Sequence, residues 1–212
     1  PGQSLSNDTL LPGKVLPQWT DEEIQALLSR PIFDEAIYGR VRFHHRAIRE
    51  YLAACWMCRL IRAECPPMRV QEMVIKESLG RTVAVPGMEG IIGWLTSCNE
   101  IIQETAVKAL PDLALFFGDA RRIPVESRIR AIRILAERLH QGKRLDIIFK
   151  SDYRRVADPR MADAILELAE RYQKDDDVLT LLLRIIQGGR INQCAEWTLE
   201  RSLDKKESER VR

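Results

Sequence analysis

Two adjacent histidines, His44 and His45, are the residues of this sequence whose type and position suggest chemistry. The residues before them, 40–43, alternate between arginine and an apolar side chain, which is the pattern of a β-strand. After them, Ile48 and Leu52 are four positions apart, as on one face of an α-helix. The first turn of a helix has unpaired N–H groups and the positive end of the helix dipole, and both attract phosphate. A histidine at this junction could therefore contact a bound phosphate group.

The sequence around this junction resembles a motif of a known protein family. The spacing F-x-H-x4-E-[YF]-x-A-A is matched by Phe43, His45, Glu50, Tyr51, Ala53 and Ala54. It is similar to the motif that closes the winged-helix region of STAND-class P-loop NTPases of the NACHT type. A weaker likeness to bacterial NACHT proteins extends over most of the chain. The resemblance implies that a winged-helix region ends here and that an ATPase core precedes it in the parent protein.

The resemblance also implies a role for one of the two histidines. In NACHT proteins the histidine of the motif contacts the β-phosphate of ADP bound by the ATPase core, and the matching residue here is His45. His44 occupies the variable position of the motif. Nucleotide contact would require the ATPase module, and the other motif residues are expected to be structural. The residues by themselves leave a simpler alternative open, in which His45 only caps the helix. Glu50 is expected to anchor the helix through a salt bridge to a neighbouring arginine and not to act as a general base.

The chain contains no phosphate-binding loop of the type Gly-x4-Gly-Lys-Ser/Thr. Residues 13–15 and 142–144 contain Gly-Lys but lack the leading glycine and the hydroxyl side chain. Because such loops hold the phosphates, we expect no tight ATP binding and no hydrolysis by this chain. We predict no catalytic residue, metal ligand or cofactor here, whereas the resemblance implies ADP or ATP with Mg²⁺ for the parent protein. Residues 113–119 are predicted to form a buried helix ending at Gly118, not a Mg²⁺ site.

Five cysteines at irregular spacing predict reduced thiols in a cytoplasmic protein. Cys55 and Cys58 form a C-x-x-C pair inside a predicted helix, away from the helix N-terminus that lowers thiol pKa values in redox motifs. A zinc site would need more ligands, and His45 lies ~15 Å along the helix axis from Cys55. We therefore expect buried thiols that pack beside Ala53 and Ala54.

The composition indicates a soluble globular protein. Apolar residues make up 45% and charged residues 30% of the sequence, and no apolar run is long enough to cross a membrane. The net charge of +2, from 33 basic and 31 acidic residues, gives no overall attraction to nucleic acid. Because Pro1 is not a translation start, we expect the chain to be part of a longer protein.

Arginines are frequent in the second half of the chain: Arg121, Arg122, Arg128, Arg130, Arg133, Arg138, Arg154 and Arg155. Arranged along one face of a helical array, they could bind the phosphates of a nucleic acid. Acidic residues such as Glu126 and Glu137 are interspersed with them, which is typical of an ordinary solvated surface. The pattern therefore argues against nucleic-acid binding.

Helix signals recur along the chain. Residues 20–23 match a capping box, with Thr20 at the N-cap and Glu23 three positions later. Pro31–Phe43 is predicted to contain a β-hairpin, and strands are expected nowhere else. Beyond the helix that follows the histidines, apolar spacing and the positions of Pro, Asn, Asp and Gly predict helices over 68–79, 91–95, 99–109, 111–118, 124–142, 158–172, 176–188 and 191–203.

These elements predict a mainly α fold. Helices joined by short turns indicate antiparallel pairs stacked as an irregular HEAT-like helical-repeat array, with a small winged-helix or β-hairpin remnant at the N-terminal end. No fixed sequence period is present. The predicted segments are a linker at 1–18, the end of the winged-helix region at 19–64, the helical-repeat domain at 65–204 and a flexible tail at 205–212.

The function predicted first is that of a non-catalytic regulatory and sensor segment of a NACHT-type STAND NTPase switch. The resemblance implies an intramolecular NTPase domain as a partner and oligomerisation on activation. It also implies a protein ligand or other subunits bound through the helical repeats, in bacterial antiviral defence or regulation. The alternative is a free-standing HEAT-like scaffold for protein–protein interaction. A nucleic-acid-binding module and a hydrolytic or redox enzyme follow in that order.

Overall fold

The computed structural model describes residues 9–36, 40–143 and 152–203. The chain falls into two compact units, Pro1–Ala53 and Ala54–Arg212. The described residues form eleven α-helices and two antiparallel β-hairpins of two strands each, which confirms the predicted mainly α class. Residues 1–8 of the predicted linker and the predicted tail at 205–212 lie outside the described residues.

The first unit contains a β-hairpin. Its elements are α1 (Pro12–Val15), α2 (Asp21–Leu28), β1 (Phe33–Ala36), β2 (Arg40–Phe43) and the first residues of α3 (Arg46–Arg62). β1 and β2 pair antiparallel, with Phe33 opposite Phe43 and their ring centroids 5.1 Å apart. Leu10 extends this pairing, because its N–H and C=O both bond to the backbone of Val41 at 2.8 Å. The hairpin predicted within Pro31–Phe43 is therefore confirmed.

A capping box fixes the start of α2, as the sequence predicts. The hydroxyl oxygen of Thr20 accepts a hydrogen bond from the backbone N–H of Glu23 at 3.3 Å. In return, the carboxylate of Glu23 accepts one from the backbone N–H of Thr20 at 2.8 Å. These reciprocal bonds satisfy two N–H groups that a helix start would otherwise leave unpaired.

The second unit contains the remaining helices and a second hairpin. Its elements after α3 are α4 (Pro67–Val74), β3 (Ile75–Ser78), β4 (Arg81–Ala84), α5 (Glu89–Leu95), α6 (Glu100–Ala109), α7 (Pro111–Phe116), α8 (Val125–His140), α9 (Ala162–Arg171), α10 (Asp176–Gly189) and α11 (Ala195–Leu203). Several helices begin at the predicted signals. The side chain of Asn99 accepts from two N–H groups of α6, and Pro111 occupies the first turn of α7, where its missing N–H costs nothing.

Apolar faces of neighbouring helices form the core of the second unit. α4 packs against α6, α6 against α8, and α8 against α9. α5 packs against α7, and α10 packs against a short 3-10 helix, Tyr153–Arg155. The centre of α8 buries Ala131, Ile132, Leu135 and Ala136 completely or nearly so. The three- and four-residue spacing of these side chains is the amphipathic stripe that the sequence predicts.

The second hairpin contradicts the prediction of a single hairpin. β3 pairs antiparallel with β4, and Leu79 and Gly80 form the turn between them. Both turn residues have positive φ, 51° and 70°, as the central residues of a type I′ hairpin turn require. The helix predicted over 68–79 therefore ends early, at Val74, because Gly80 completes a hairpin turn and does not terminate a helix.

A disulfide bond joins Cys58 in α3 to Cys98 in the turn before α6. Their Cα atoms are 6.3 Å apart, although the two residues are separated by 40 positions in the sequence. The prediction of reduced thiols is wrong for this pair, because folding brings the end of α5 back to α3. The free thiols are those of Cys55, Cys65 and Cys194. The cytoplasmic location stays a prediction.

Replacing Gly93 by Ala is expected to destabilise the second unit by about 1–3 kcal/mol, the usual cost of forcing extra atoms into a packed core. A Cβ atom at Gly93 in α5 would overlap the side chain and backbone of Phe117. Urea unfolding of the variant and the wild type measures the change. Gly13→Ala is the control, because no atom lies within 4 Å of the Cβ it would add. An unchanged midpoint for Gly93→Ala would contradict this close packing.

Replacing Cys98 by Ser is expected to lower the free energy of unfolding by about 4 kcal/mol, because the disulfide closes a loop of 40 residues and restricts the unfolded chain. Cys98 is exposed, so the replacement itself disturbs little packing. Unfolding of Cys98→Ser and wild type without reductant measures the difference. Cys55→Ser keeps the bond and should stay close to wild type. Equal stability of all three proteins would count against the disulfide.

Candidate functional site

The two histidines lie between a strand and a helix, as the sequence predicts. β2 ends at Phe43 and α3 begins at Arg46, so His44 and His45 are the two linking residues. The backbone carbonyl of His45 accepts a hydrogen bond from the N–H of Ile48 at 3.1 Å. This bond helps to close the first turn and holds the backbone of His45 against the start of α3.

Asp34 on β1 fixes the side chain of His44. The Nδ1 atom of His44 lies 2.8 Å from one oxygen of the Asp34 carboxylate, and the other oxygen lies 3.6 Å from Nε of Arg42. The hydrogen bond with His44, and then the charges nearby, lower the pKa of Asp34 below its ordinary value. The carboxylate is therefore ionised at neutral pH and accepts from an Nδ1–H group. The backbone N–H of His44 also donates to the carbonyl of Ile32 at 2.9 Å.

The imidazole of His45 is exposed and lies edge-on to that of His44. The ring centroids are 4.3 Å apart and the ring planes meet at 67°. In the part of the chain that the structure describes, the ring nitrogens of His45 have no hydrogen-bond partner. Because a neutral imidazole donates from one nitrogen and a charged one from both, His45 can offer a hydrogen bond to an anion at this junction.

Two further motif residues stabilise the elements on either side of the junction. Phe43 packs its ring against Phe33 across the hairpin. Glu50 is buried, and one of its carboxylate oxygens accepts a hydrogen bond from Nε of Arg46 at 2.6 Å. This contact confirms the predicted pairing of Glu50 with a neighbouring arginine. It joins the first and second turns of α3.

The last three motif residues lie further along α3. Tyr51 is exposed and Ala53 is half-buried, whereas Ala54 is buried and belongs to the second unit. A catalytic role at the junction would need a nucleophile in hydrogen-bond contact with a base. The described residues near the two histidines contain no such pair. The chemistry that the arrangement supports is the binding of an anion through an imidazole donor.

Two other sequence features suggested a redox or metal site, the C-x-x-C pair and residues 113–119. In the structure, their side chains make contacts that stabilise the fold. The C-x-x-C pair of α3 does not present two free thiols, because Cys58 bonds to Cys98. Residues 113–115 are buried in α7, and Asp119 caps a short 3-10 helix by accepting from the N–H of Arg121 at 3.3 Å. Among the described residues, no group of three or more His, Cys, Asp or Glu side chains could hold a metal ion.

The arginines of α8 contact neighbouring elements. Arg128 is buried and donates from Nη1 to the carbonyl of Val156 at 2.8 Å and from Nη2 to Asp158 at 3.2 Å. Arg130 binds both carboxylate oxygens of Glu104 at 2.9 and 2.6 Å. The two remaining contacts are Arg133 with Glu167 and Arg138 with the carbonyl of Ala109. Sequence reasoning missed all four, because partners 26 to 34 positions away produce no local signal.

Comparisons with protein-family models, with curated proteins and with solved structures found no match to this chain. None of the described helices is both long enough and apolar enough to span a membrane.

Asp158, the partner of the buried Arg128, is expected to make stability depend on pH. A hydrogen bond from the side chain of Arg160, followed by the backbone N–H and the nearby charges, lowers the pKa of Asp158 below its ordinary value of 3.8. The stabilisation from the ionised carboxylate is therefore present above about pH 4 and is lost as the pH falls further. Asp158→Asn should lower the free energy of unfolding at neutral pH and flatten its decline between about pH 5 and pH 2, measured by urea unfolding.

Arg160→Gln tests the same linkage from the other partner. It removes the donor that lowers the pKa of Asp158 most, so its decline in acid should also be shallower than that of the wild type. Asn at position 158 still accepts from the N–H of Arg160 and keeps the cap of the short 3-10 helix. A decline in Asp158→Asn as steep as in the wild type would contradict the assignment.

Proposed function

We propose that this chain is the non-catalytic regulatory segment of a NACHT-type STAND NTPase switch. In this proposal His45 contacts the nucleotide held by an ATPase core whose phosphate-binding loop this chain lacks. The observation that carries the proposal is the exposed imidazole of His45 between β2 and α3, within the motif that it shares with that family. A helix start and an imidazole donor both suit a phosphate group.

The edge-on contact with the ring of His44, whose centroid lies 4.3 Å away, supports this role because it restricts the orientation of the His45 imidazole. His44 is occupied by Asp34, whereas the ring nitrogens of His45 have no partner in the described chain. The ion pair between Arg46 and Glu50 holds the first turns of α3 together. A donor that is already oriented loses less conformational entropy when it binds than a mobile donor does.

In the proposed switch, ADP favours the closed state because His45 contacts the β-phosphate only in that state. Binding of a ligand to the helical repeats would favour exchange of ADP for ATP, followed by oligomerisation. A ligand shifts such an equilibrium only by the difference between its affinities for the two states, and a hydrogen bond present in one state provides that difference. A role in bacterial antiviral defence or regulation belongs to the same proposal.

We further infer that the helices from α4 to α11 form an irregular HEAT-like array that binds a protein ligand or other subunits. The packing of α4, α6, α8 and α9, each against the next, supports this inference. Polar contacts between elements also recur at sequence separations of 26 to 35 residues, as expected for stacked helix pairs of similar length. The pairs are Gln71–Thr105, Glu104–Arg130, Arg133–Glu167, Glu137–Tyr172 and Gln173–Arg201.

A free-standing scaffold for protein–protein interaction is the second candidate. Large apolar side chains of the second unit that are 46% to 62% exposed favour it: Trp56, Met68, Met73, Ile101 and Leu199. Side chains of this kind could bind a protein partner without any nucleotide. The two candidate functions differ in whether His45 contributes to the binding of ADP.

ADP binding to the full-length parent protein, measured by isothermal calorimetry, tests the first candidate. His45→Ala is expected to weaken ADP binding by about 2 kcal/mol, or about 30-fold, which is typical of a hydrogen bond to a charged group. His140→Ala removes a histidine from α8 and should leave the affinity unchanged. Unchanged affinity in His45→Ala would exclude His45 from the nucleotide site and favour the scaffold.

A further inference from the structure

A groove between α8 and α9, within the second unit, carries an excess of positive charge. Its volume is about 380 Å³, which is in the range of small-molecule sites. Ile134, Leu168 and the ring of Tyr172 give it an apolar lining. Its charged lining residues are Arg133, Arg138, Lys143, Arg171 and a single carboxylate, Glu137.

The carboxylate of Glu137 does not neutralise these cations through an ion pair. It accepts a hydrogen bond from the hydroxyl of Tyr172 at 2.6 Å and another from Nε2 of Gln141 at 2.9 Å. These bonds, with Tyr172 contributing most, lower the pKa of Glu137 below its ordinary value. Its oxygens are thus engaged by neutral donors, and the groove keeps four cationic side chains against one anionic side chain.

Two of the four cations have a polar partner, and the other two have no carboxylate partner among the described residues. Arg133 contacts Glu167, and Arg138 donates to the carbonyl of Ala109 at 2.9 Å. In the described residues, neither Lys143 nor Arg171 has a carboxylate within ion-pair distance. The guanidinium of Arg171 lies 5.5 Å from the centroid of the neighbouring Tyr172 ring, and this cation–π contact orients it. Two cationic side chains are therefore available to a ligand in the groove.

We propose that this groove binds a small organic molecule that carries a phosphate group. Lys143 and Arg171 hold the phosphate, because a planar guanidinium donates two parallel hydrogen bonds to its oxygens and an ammonium adds a point charge. The organic part of the ligand lies on the half-buried Ile134, an apolar contact that a free phosphate ion cannot make. This site is independent of the proposed nucleotide contact of His45.

Calorimetric titration of the intact chain with phenyl phosphate, inorganic phosphate and benzoate tests the ligand class. Phenyl phosphate has both the phosphate and an apolar ring, and we expect it to bind about tenfold more tightly than either of the other two. Equal affinity for inorganic phosphate would overturn the role of the apolar residues. Equal affinity for benzoate would overturn the assignment of a phosphate ligand.

The double variant Lys143→Ala/Arg171→Ala tests the location of the site. It is expected to weaken phenyl phosphate binding about 30-fold. Lys76→Ala/Arg81→Ala is the matched control, because it removes the same charge from exposed positions on β3 and β4. An equal loss of affinity in the two variants would show that the overall charge of the protein attracts phenyl phosphate, and it would exclude the groove as the binding site.

Glu137→Gln tests the proposal in the opposite direction, because it should strengthen the binding of phenyl phosphate and leaves every cation in place. It removes the negative charge from the groove and keeps an oxygen that can accept from Tyr172. Binding of phenyl phosphate should therefore become about threefold to tenfold tighter. Unchanged or weaker binding, in a variant whose urea unfolding matches the wild type, would overturn the proposal.

Discussion

The second unit depends on the way α8 buries an apolar face together with one charge. Ile132 and Leu135 are at most 2% exposed, and α8 packs against α6, α7 and α10. Arg128 is also buried, and a buried guanidinium is costly unless it is paired. The carbonyl of Val156 and the carboxylate of Asp158 provide that pairing. Residues 156–158, which precede α9, therefore lie beside Arg128.

Close backbone approaches constrain the helices that lie alongside. Gly93 in α5 meets Phe117 with no room for a Cβ atom, and Gly188 in α10 approaches Tyr153 with its would-be Cβ 2.8 Å from the tyrosine Cβ. Such contacts increase dispersion attraction, because more atoms lie at optimal distance. They also specify the register of the helices, since a larger residue at either glycine would force the helices apart. The polar contacts of α8 and the close approaches at these glycines therefore both constrain how the helices of the second unit pack.

At both candidate sites, a side chain that already has a hydrogen-bond or ion-pair partner lies near one that has none among the described residues. In the first unit, Asp34 binds His44 and leaves His45 to offer its ring. In the groove of the second unit, paired arginines lie beside Lys143 and Arg171, which have no carboxylate partner among the described residues. In each place the paired groups restrain the local structure, and the proposed binding of an anion rests on the others.

The sequence by itself determined the elements that depend on near neighbours: the capping box at Thr20, the first hairpin, the junction at His45 and most helix starts. The tertiary structure alone decided the bond of Cys98, the partners of Arg128 and the groove between α8 and α9. It also revealed the second hairpin, whose turn contains Leu79 where Asn or Asp is usual, so that no local signal marked it. The physical reason is distance along the chain. A cap or a tight turn acts within a few residues, whereas contacts between residues 26 to 40 positions apart form only after the apolar helix faces have packed together.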